Sequence, residues 1–300
     1  MIPNSIDKTR RKLWLAAIKP PMYSVAVVPI WVGSAIAFAE TRTLNHLIFG
    51  AFMLAAILIV AWINLSNDVF DADTGIDVNK AHSLVNLTGN QAFIFWLGNL
   101  FLGIGILGIL AICGLQQDLT VLGIVLLCCV LGYSYQGPPF RLGYQGLGEI
   151  ICFICFGPLA VGAAYYSQTQ SWSTTSFLAS ILVGITTSLI LFCSHFHQVQ
   201  DDRLAGKRSP IVRLGTAKAA QLLPWITGSV YGLLILLVGL RIFPLWTLLV
   251  LGSLPSAWQL SSHVLANHNR PKKVSNCKFI AVALHFWSGL LRGMGFVLPT

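Results

Sequence analysis

From about residue 20 to its last residues the chain is a succession of apolar runs separated by short polar gaps. Each run approaches the ~20 residues that a helix needs to cross a bilayer. Of the 300 residues, 55% are hydrophobic and 10% charged, against roughly 25% charged in a soluble domain, so lipid is the solvent for most of the chain. Candidate spanning helices fall near 20–38, 44–66, 91–114, 119–135, 148–166, 175–197, 221–242, 244–263 and 278–298. Pro244 divides the long apolar stretch between 221 and 263, since proline opens a helix readily and breaks one in mid-course. The pattern predicts an all-α polytopic membrane protein of nine transmembrane helices, forming one domain over 1–300, with residues 1–18 as a cytoplasmic basic arm.

A net charge of +9 would suit a nucleic-acid partner, but the basic residues are interrupted by apolar stretches that such a surface does not tolerate. Topology accounts for them better. With nine alternating spans, Arg42, Arg241 and Arg292 fall on one side and the rest of the 19 lysines and arginines on the other. The rule that cytoplasmic loops keep positive charge then puts the N-terminus inside and the C-terminus outside. The stretch Lys8, Arg10, Arg11, Lys12 resembles the start of a signal peptide, yet no convincing cleavage site follows, and a retained first helix is expected. The seven cysteines lie mostly inside apolar runs and read as packing residues. Cys152 and Cys155 form a CxxC with no second pair.

Ten acidic residues are even less evenly spread. Six of them, Asp68, Asp71, Asp73, Asp77, Asp201 and Asp202, occupy two loops expected on the cytoplasmic side, after the second and sixth helices. That spacing predicts two four-helix halves plus a ninth helix. If the second helix continues through Asn64–Asp71, then Asn64, Asp68 and Asp71 share a face. Carboxylates this close repel one another unless a cation intervenes. Oxygen-only donors point to a hard ion such as Mg²⁺, which bridges carboxylates to substrate phosphates. A solvated acidic loop end is the bland alternative, although charge at a membrane boundary marks functional candidates.

The second cluster, His195 to Arg208, joins Asp201 and Asp202 to Arg203 and Lys207 and suits a site for both Mg²⁺ and a diphosphate. Simple salt bridges among these residues are the competing reading. His195 and His197 are two apart and do not face the same way, so a shared metal is not expected; one would bond the acceptor substrate and the other a neighbouring helix. A third segment, Tyr133 to Glu149, is rich in helix-breaking glycine and proline. It offers Tyr135, Arg141 and Tyr144 on the same side. Ring faces stabilise positive charge, and an interfacial aromatic belt is the alternative. A secondary transporter is the reading from another class, but its charges would lie near the bilayer midplane at broken helices.

Asn67-Asp68-x-x-Asp71, the acidic motif after helix six, the Tyr135–Glu149 loop and nine spans together resemble the UbiA superfamily of membrane prenyltransferases over essentially the whole chain. Lys19-Pro20-Pro21, Asp73-Thr74-Gly75-Ile76-Asp77, Gly143-Tyr144-Gln145-Gly146-Leu147-Gly148-Glu149 and Gly206 to Thr216 are similar to its menaquinone and phylloquinone branch. His197-Gln198-Val199-Gln200-Asp201-Asp202 and Asn79-Lys80-Ala81-His82-Ser83 resemble the cyanobacterial and plastid version. The resemblance implies transfer of a prenyl group, phytyl in that version, from its diphosphate to 1,4-dihydroxy-2-naphthoate with decarboxylation, in an integral membrane of the plasma or thylakoid type. Homogentisate and chlorophyllide are the runner-up acceptors. It implies Asp68, Asp71 and Asp202 as catalytic residues and Asn67, Asp68, Asp71, Asp77, Asp201 and Asp202 as Mg²⁺ ligands. Asn64, Lys80, Tyr135, Arg141, Tyr144, His197, Gln198, Arg203 and Lys207 are the implied substrate contacts. The superfamily's second motif places aspartates at i and i+4, and here Gln198 stands at the first of them.

Overall fold

A computed structural model describes residues 14, 20–74 and 83–299. The basic arm over 1–18, apart from Trp14, and Asp77, Lys80 and the rest of 75–82 lie outside the described residues. The regular structure described is helical throughout, without strands. The long helices are α1 (Pro20–Thr41), α2 (His46–Thr74), α3 (Gln91–Gln116), α4 (Thr120–Gln136), α5 (Gly148–Thr169), α6 (Thr174–Leu204), α7 (Thr216–Gly239), α8 (Leu254–Asn267) and α9 (Pro271–Val297). Seven of them are long and apolar enough to cross a membrane; α4 is shorter, at 17 residues. The apolar run before α8 is a 3₁₀ segment, Leu245–Ser253, that leads into Pro255 in the first turn of the helix.

Local chemistry fixes many of the ends. Asn90 and Ser173 cap α3 and α6 by accepting from the N–H groups of Phe93 and Ser176. Arg42, Gln117 and Gln170 end α1, α3 and α5 in the left-handed conformation, each returning its N–H to a carbonyl four residues back. Two helices run well past the ends expected from hydropathy. The carboxylates of 68–73 and 201–202 are therefore not in loops but on the last turns of α2 and α6. An apolar scan stops at charge, whereas a helix continues wherever charged side chains find partners at its end.

The connections gather at two ends of the bundle. At one end Glu40 accepts from Tyr165 at 2.6 Å and from Ser173 at 2.8 Å, Asp118 accepts from Tyr166 at 2.7 Å, and Gln116 donates to the Ser167 carbonyl at 2.6 Å. At the other end α2, the 137–147 loop and the 205–215 segment meet: Tyr144 joins Thr74 at 2.9 Å, and the Arg208 N–H donates to the Tyr144 carbonyl at 2.7 Å. Helices α1 to α6 thus run alternately between the two ends.

Two of the three buried cores join the long helices. One core joins α2, α3, α4 and α5 through Phe52, Ile109, Val125 and Ala163. The larger joins α1 to α6, α7, α8 and α9 through Val32, Leu182, Leu234, Leu260 and Leu284. α9 packs against α1, α6 and the 3₁₀ segment, so it is central. Arg292, expected on the outer side, is fully buried in α9. Where α5 crosses α6, a Cβ on Gly157 would lie 2.7 Å from the Ser180 carbonyl oxygen, so only glycine permits the approach. The same stretch of α5 is a π turn, Cys155–Leu159, around Pro158, which has no N–H to give. Outside the bundle Leu107, Trp225 and Trp258 are exposed, as a lipid-facing surface requires.

Candidate active site

The first carboxylate group is splayed among three partners. Asp68 is 1% exposed and accepts the Leu84 N–H at 2.9 Å, at the start of the short helix Leu84–Thr88. Asp71 accepts from the Gln136 side-chain amide at the end of α4. Asp73 points away, exposed, to the Gln91 amide at 2.6 Å. Backbone and amide donors from separate elements thus hold three like charges on one helix end.

On α6, Asp202 and Asp201 are not equivalent. Asp202 is buried, with Lys207 Nζ at 3.6 Å and the Ser209 hydroxyl donating at 3.3 Å. Lys207 is buried with it and also returns its backbone N–H to the Asp202 carbonyl at 2.8 Å. Asp201 and Arg203 are exposed, and His197 and Gln198 half-buried. Two turns before Asp202, His195 is buried with Nδ1 3.1 Å from Glu149 Oε1 on α5.

The 137–147 loop ties the two groups together. Its backbone folds back on α4 through the Leu142 and Gly143 N–H groups, which reach Ser134 and Tyr135 carbonyls at 2.9 and 2.8 Å. This brings the Tyr144 hydroxyl to Thr74 on α2 and its ring to 5.9 Å from Lys207 Nζ. Burial pushes the Tyr144 phenol above its ordinary value; the Thr74 hydrogen bond opposes that, and Asp71 and Asp202 add to it. One side chain therefore feels both carboxylate groups. Arg141, in the left-handed conformation at φ 44°, keeps a buried Nε, and among the described residues neither it nor the buried Gln136 Oε1 has a hydrogen-bond partner. The Tyr135 ring lies where a Cβ on Gly148 would come within 2.7 Å of it.

Behind these groups an apolar cavity runs between α1, α2, α4, α5 and α6. Along α2 it extends from Asn67 to Phe52, about 22 Å at 1.5 Å per residue. Its polar lining is confined to Asn64, Asn67, Tyr135, Thr187 and Ser194, with the thiols of Cys128, Cys152 and Cys155. The arrangement is an oxygen-rich, partly cationic mouth above a long greasy slot. Among the described residues no three of His, Cys, Asp and Glu form a ready-made metal cluster. Mg²⁺ does not require one, since one or two carboxylates and substrate phosphates commonly suffice.

The structure thus gathers Asn64, Asn67, Asp68, Asp71, Tyr135, Tyr144, Asp202 and Lys207 around one mouth, and leaves Asp201 and Arg203 exposed. Two participants, Gln136 and Glu149, were not singled out in the sequence, and His195 was read without its partner. Gln136 was legible only as the residue before a Gly-Pro-Pro break. Glu149 carried a signal, being an acid at the start of an apolar run in a chain with ten acids. His195 needed its partner on another helix.

Residues 26–289 match the model of the UbiA prenyltransferase family. The chain is 57% identical to the 2-carboxy-1,4-naphthoquinone phytyltransferase of Synechocystis sp., covering 99% of this chain and 96% of that one. It is 42% identical to the chloroplastic 2-carboxy-1,4-naphthoquinone phytyltransferase of Arabidopsis thaliana, covering 96% and 78%. Among solved structures it is similar to digeranylgeranylglyceryl phosphate synthase, with a TM-score of 0.63 at 16% identity over 96% of this chain and 99% of that one. A UbiA homolog from Archaeoglobus fulgidus bound to DMAPP and Mg²⁺ gives a TM-score of 0.58 at 14% identity over 93% and 98%. At these identities the structural likeness concerns the fold.

Proposed function

The chain belongs to the UbiA prenyltransferase family, and on that premise we propose that this integral, multi-pass membrane protein transfers a phytyl group from its diphosphate to 1,4-dihydroxy-2-naphthoate, with loss of CO₂, in phylloquinone or menaquinone biosynthesis. The observation that carries the reading is a cavity reaching from Phe52 to Asn64, Asn67 and Tyr135, the chain neighbours of Asp68 and of the Gln136 that bonds Asp71. A slot of that length suits an isoprenoid chain with its diphosphate at the polar end. The acceptor follows from the two phytyltransferase relatives, which are named for the oxidised form of the same carboxylated ring.

Asn67, Asp68, Asp71 and Asp202 are the residues proposed to hold Mg²⁺, with Asp77 and Asp201 as further donors. The fit to Mg²⁺ lies in the donor set, which is oxygen throughout, and in the buried Gln136 Oε1, without a hydrogen-bond partner among the described residues; the Arg141 Nε, likewise without one, is a donor for the diphosphate. Bound there, Mg²⁺ would neutralise charge on the departing diphosphate. Arg141, Lys207, Lys80 and Arg203 supply cationic donors to its oxygens. Tyr135 lines the slot next to the mouth, where its ring face stabilises an allylic cation, and the apolar wall keeps water from intercepting that cation. His197 and Gln198, half-buried above Asp201 and Asp202, are proposed substrate contacts.

The two-ended bonding pattern and the bias of lysine and arginine support nine crossings, with α4 and the 245–267 segment spanning as well, in a single domain. The same bias supports an N-terminus and an active-site mouth on the cytoplasmic side. The test is an assay of the purified protein with Mg²⁺, 1,4-dihydroxy-2-naphthoate and phytyl or longer all-trans diphosphates, reading product mass. Phytylated, decarboxylated naphthoquinol is expected. Release of diphosphate with homogentisate or chlorophyllide but not with the naphthoate would overturn the acceptor.

A further inference from the structure

We propose that His195 is the general base of the reaction, taking the 1-hydroxyl proton of the naphthoate as the carbon–carbon bond forms, with Glu149 as its positioning residue. The inference rests on the acceptor proposed above and states which redox form of the ring reacts.

His195 is 2% exposed, and Glu149 beside it is partly buried. An ionised carboxylate only accepts hydrogen bonds, so in the neutral imidazole the 3.1 Å contact with Glu149 fixes the proton on Nδ1 and puts the lone pair on Nε2. That Nε2 is buried and has no hydrogen-bond partner among the described residues, and the second oxygen of Glu149 has none either. A buried acceptor without a donor is costly unless something else supplies one.

The position of the pair says what that donor is. Leu191, one turn before His195 on the same face of α6, and Cys152, one turn after Glu149 on the same face of α5, both line the apolar slot. Asp202, two turns beyond His195, stands at the mouth. Neither His195 nor Glu149 lines the slot itself; the pair stands one turn beyond residues that do, on the side of the mouth, beside the layer where diphosphate and isoprenoid chain would join. Tyr135, which lines the slot there, is within electrostatic range of Glu149, Asp71 and Asp202. The ionisable groups coupled to Glu149 are therefore Tyr135 from α4 and Cys152 from α5, with Asp71 and Asp202 reaching Tyr135 from the mouth.

The step balances without an oxidant. The 1-hydroxyl proton passes to His195 Nε2, the electron pair at ring C2 forms the bond to the allylic carbon, and the C–O bond breaks with its pair leaving on diphosphate. Ring C2 then carries both the phytyl group and the carboxylate beside a C1 ketone, which is a β-keto acid. The bond to the carboxylate breaks, CO₂ leaves, and its electron pair rearomatises the ring and reaches the C1 oxygen, which recovers the proton from Nε2. The product is the quinol. The oxidised acceptor has no hydroxyl proton and leaves Nε2 without a role.

The experiment uses the full chain in lipid nanodiscs with Mg²⁺, phytyl diphosphate, and either 1,4-dihydroxy-2-naphthoate or its 1-methoxy analogue. H195Q is expected to lose about 10²- to 10⁴-fold in kcat on the natural acceptor with the donor KM unchanged. The methoxy analogue, with no proton to give, should bring the wild-type rate down to that of H195Q and cost H195Q nothing further. E149Q should fall between, because an amide holds the imidazole without fixing its tautomer. Wild-type turnover of the methoxy analogue at the natural rate overturns the base role, and this measurement stands even where H195Q does not fold. H195Q active at the wild-type rate overturns it too. A wild-type protein that phytylates neither acceptor overturns the proposed function instead.

Discussion

Asp68 and Asp71 are held by different kinds of donor, a backbone N–H and a side-chain amide, and that difference separates structure from chemistry at each position. Asn at position 68 keeps a carbonyl oxygen for the Leu84 N–H, so Asp68→Asn should fold and still lose about 10²- to 10³-fold in turnover, the loss typical of one removed electrostatic stabiliser. Asp71→Asn is expected to do the same; thermal unfolding and product formation measured on one preparation check both. Tyr144 gives a pH signature. Its phenol titrates above the ordinary value of 10.0 in the folded protein, so above that pH the unfolded chain releases its proton first. Stability from this group is present below that pH and is lost as pH rises through the folded value. Tyr144→Phe should therefore show a shallower fall in Tm between about pH 9 and 11 than the wild type. The carboxylates themselves were legible in the sequence because charge is scarce there. That Asp202 is buried against Lys207 while Asp201 is exposed was not, since neighbouring residues on a helix differ by rotation, which hydropathy does not record.

α2, α6 and α9 show what an apolar scan reads well and badly. The runs located every long helix, because lipid demands about the same length of each. They ended α2 and α6 too early, because the last turns of both carry the polar groups that form the mouth. In α9 the error went the other way. Arg292 was counted with the outer-side charges, yet its three guanidinium nitrogens are buried without a hydrogen-bond partner among the described residues. A buried charge with no counter-ion costs more than an apolar side chain of similar volume, so Arg292→Met is expected to hold or raise the Tm in detergent. A fall in Tm would show that the guanidinium is compensated in the membrane.

At the scale of the whole molecule, the bundle presents one polar end with Glu40 and Asp118 and another with the proposed catalytic mouth. Cysteines introduced at Gln170 and at Gln145 should be labelled from opposite faces of sealed vesicles, Gln145→Cys from the cytoplasmic one; labelling of both from one face would remove the proposed topology. What the sequence by itself determined is the solvent, the helices, and the crowding of carboxylates toward two helix ends, because hydropathy and charge are written residue by residue. The pairing of Asp71 with Gln136, the bridge of Tyr144 between two acidic groups, the His195–Glu149 contact and the slot reaching Phe52 were decided by tertiary structure alone. Each depends on how helices far apart in the chain are rotated and how closely their backbones approach, and those are properties of packing.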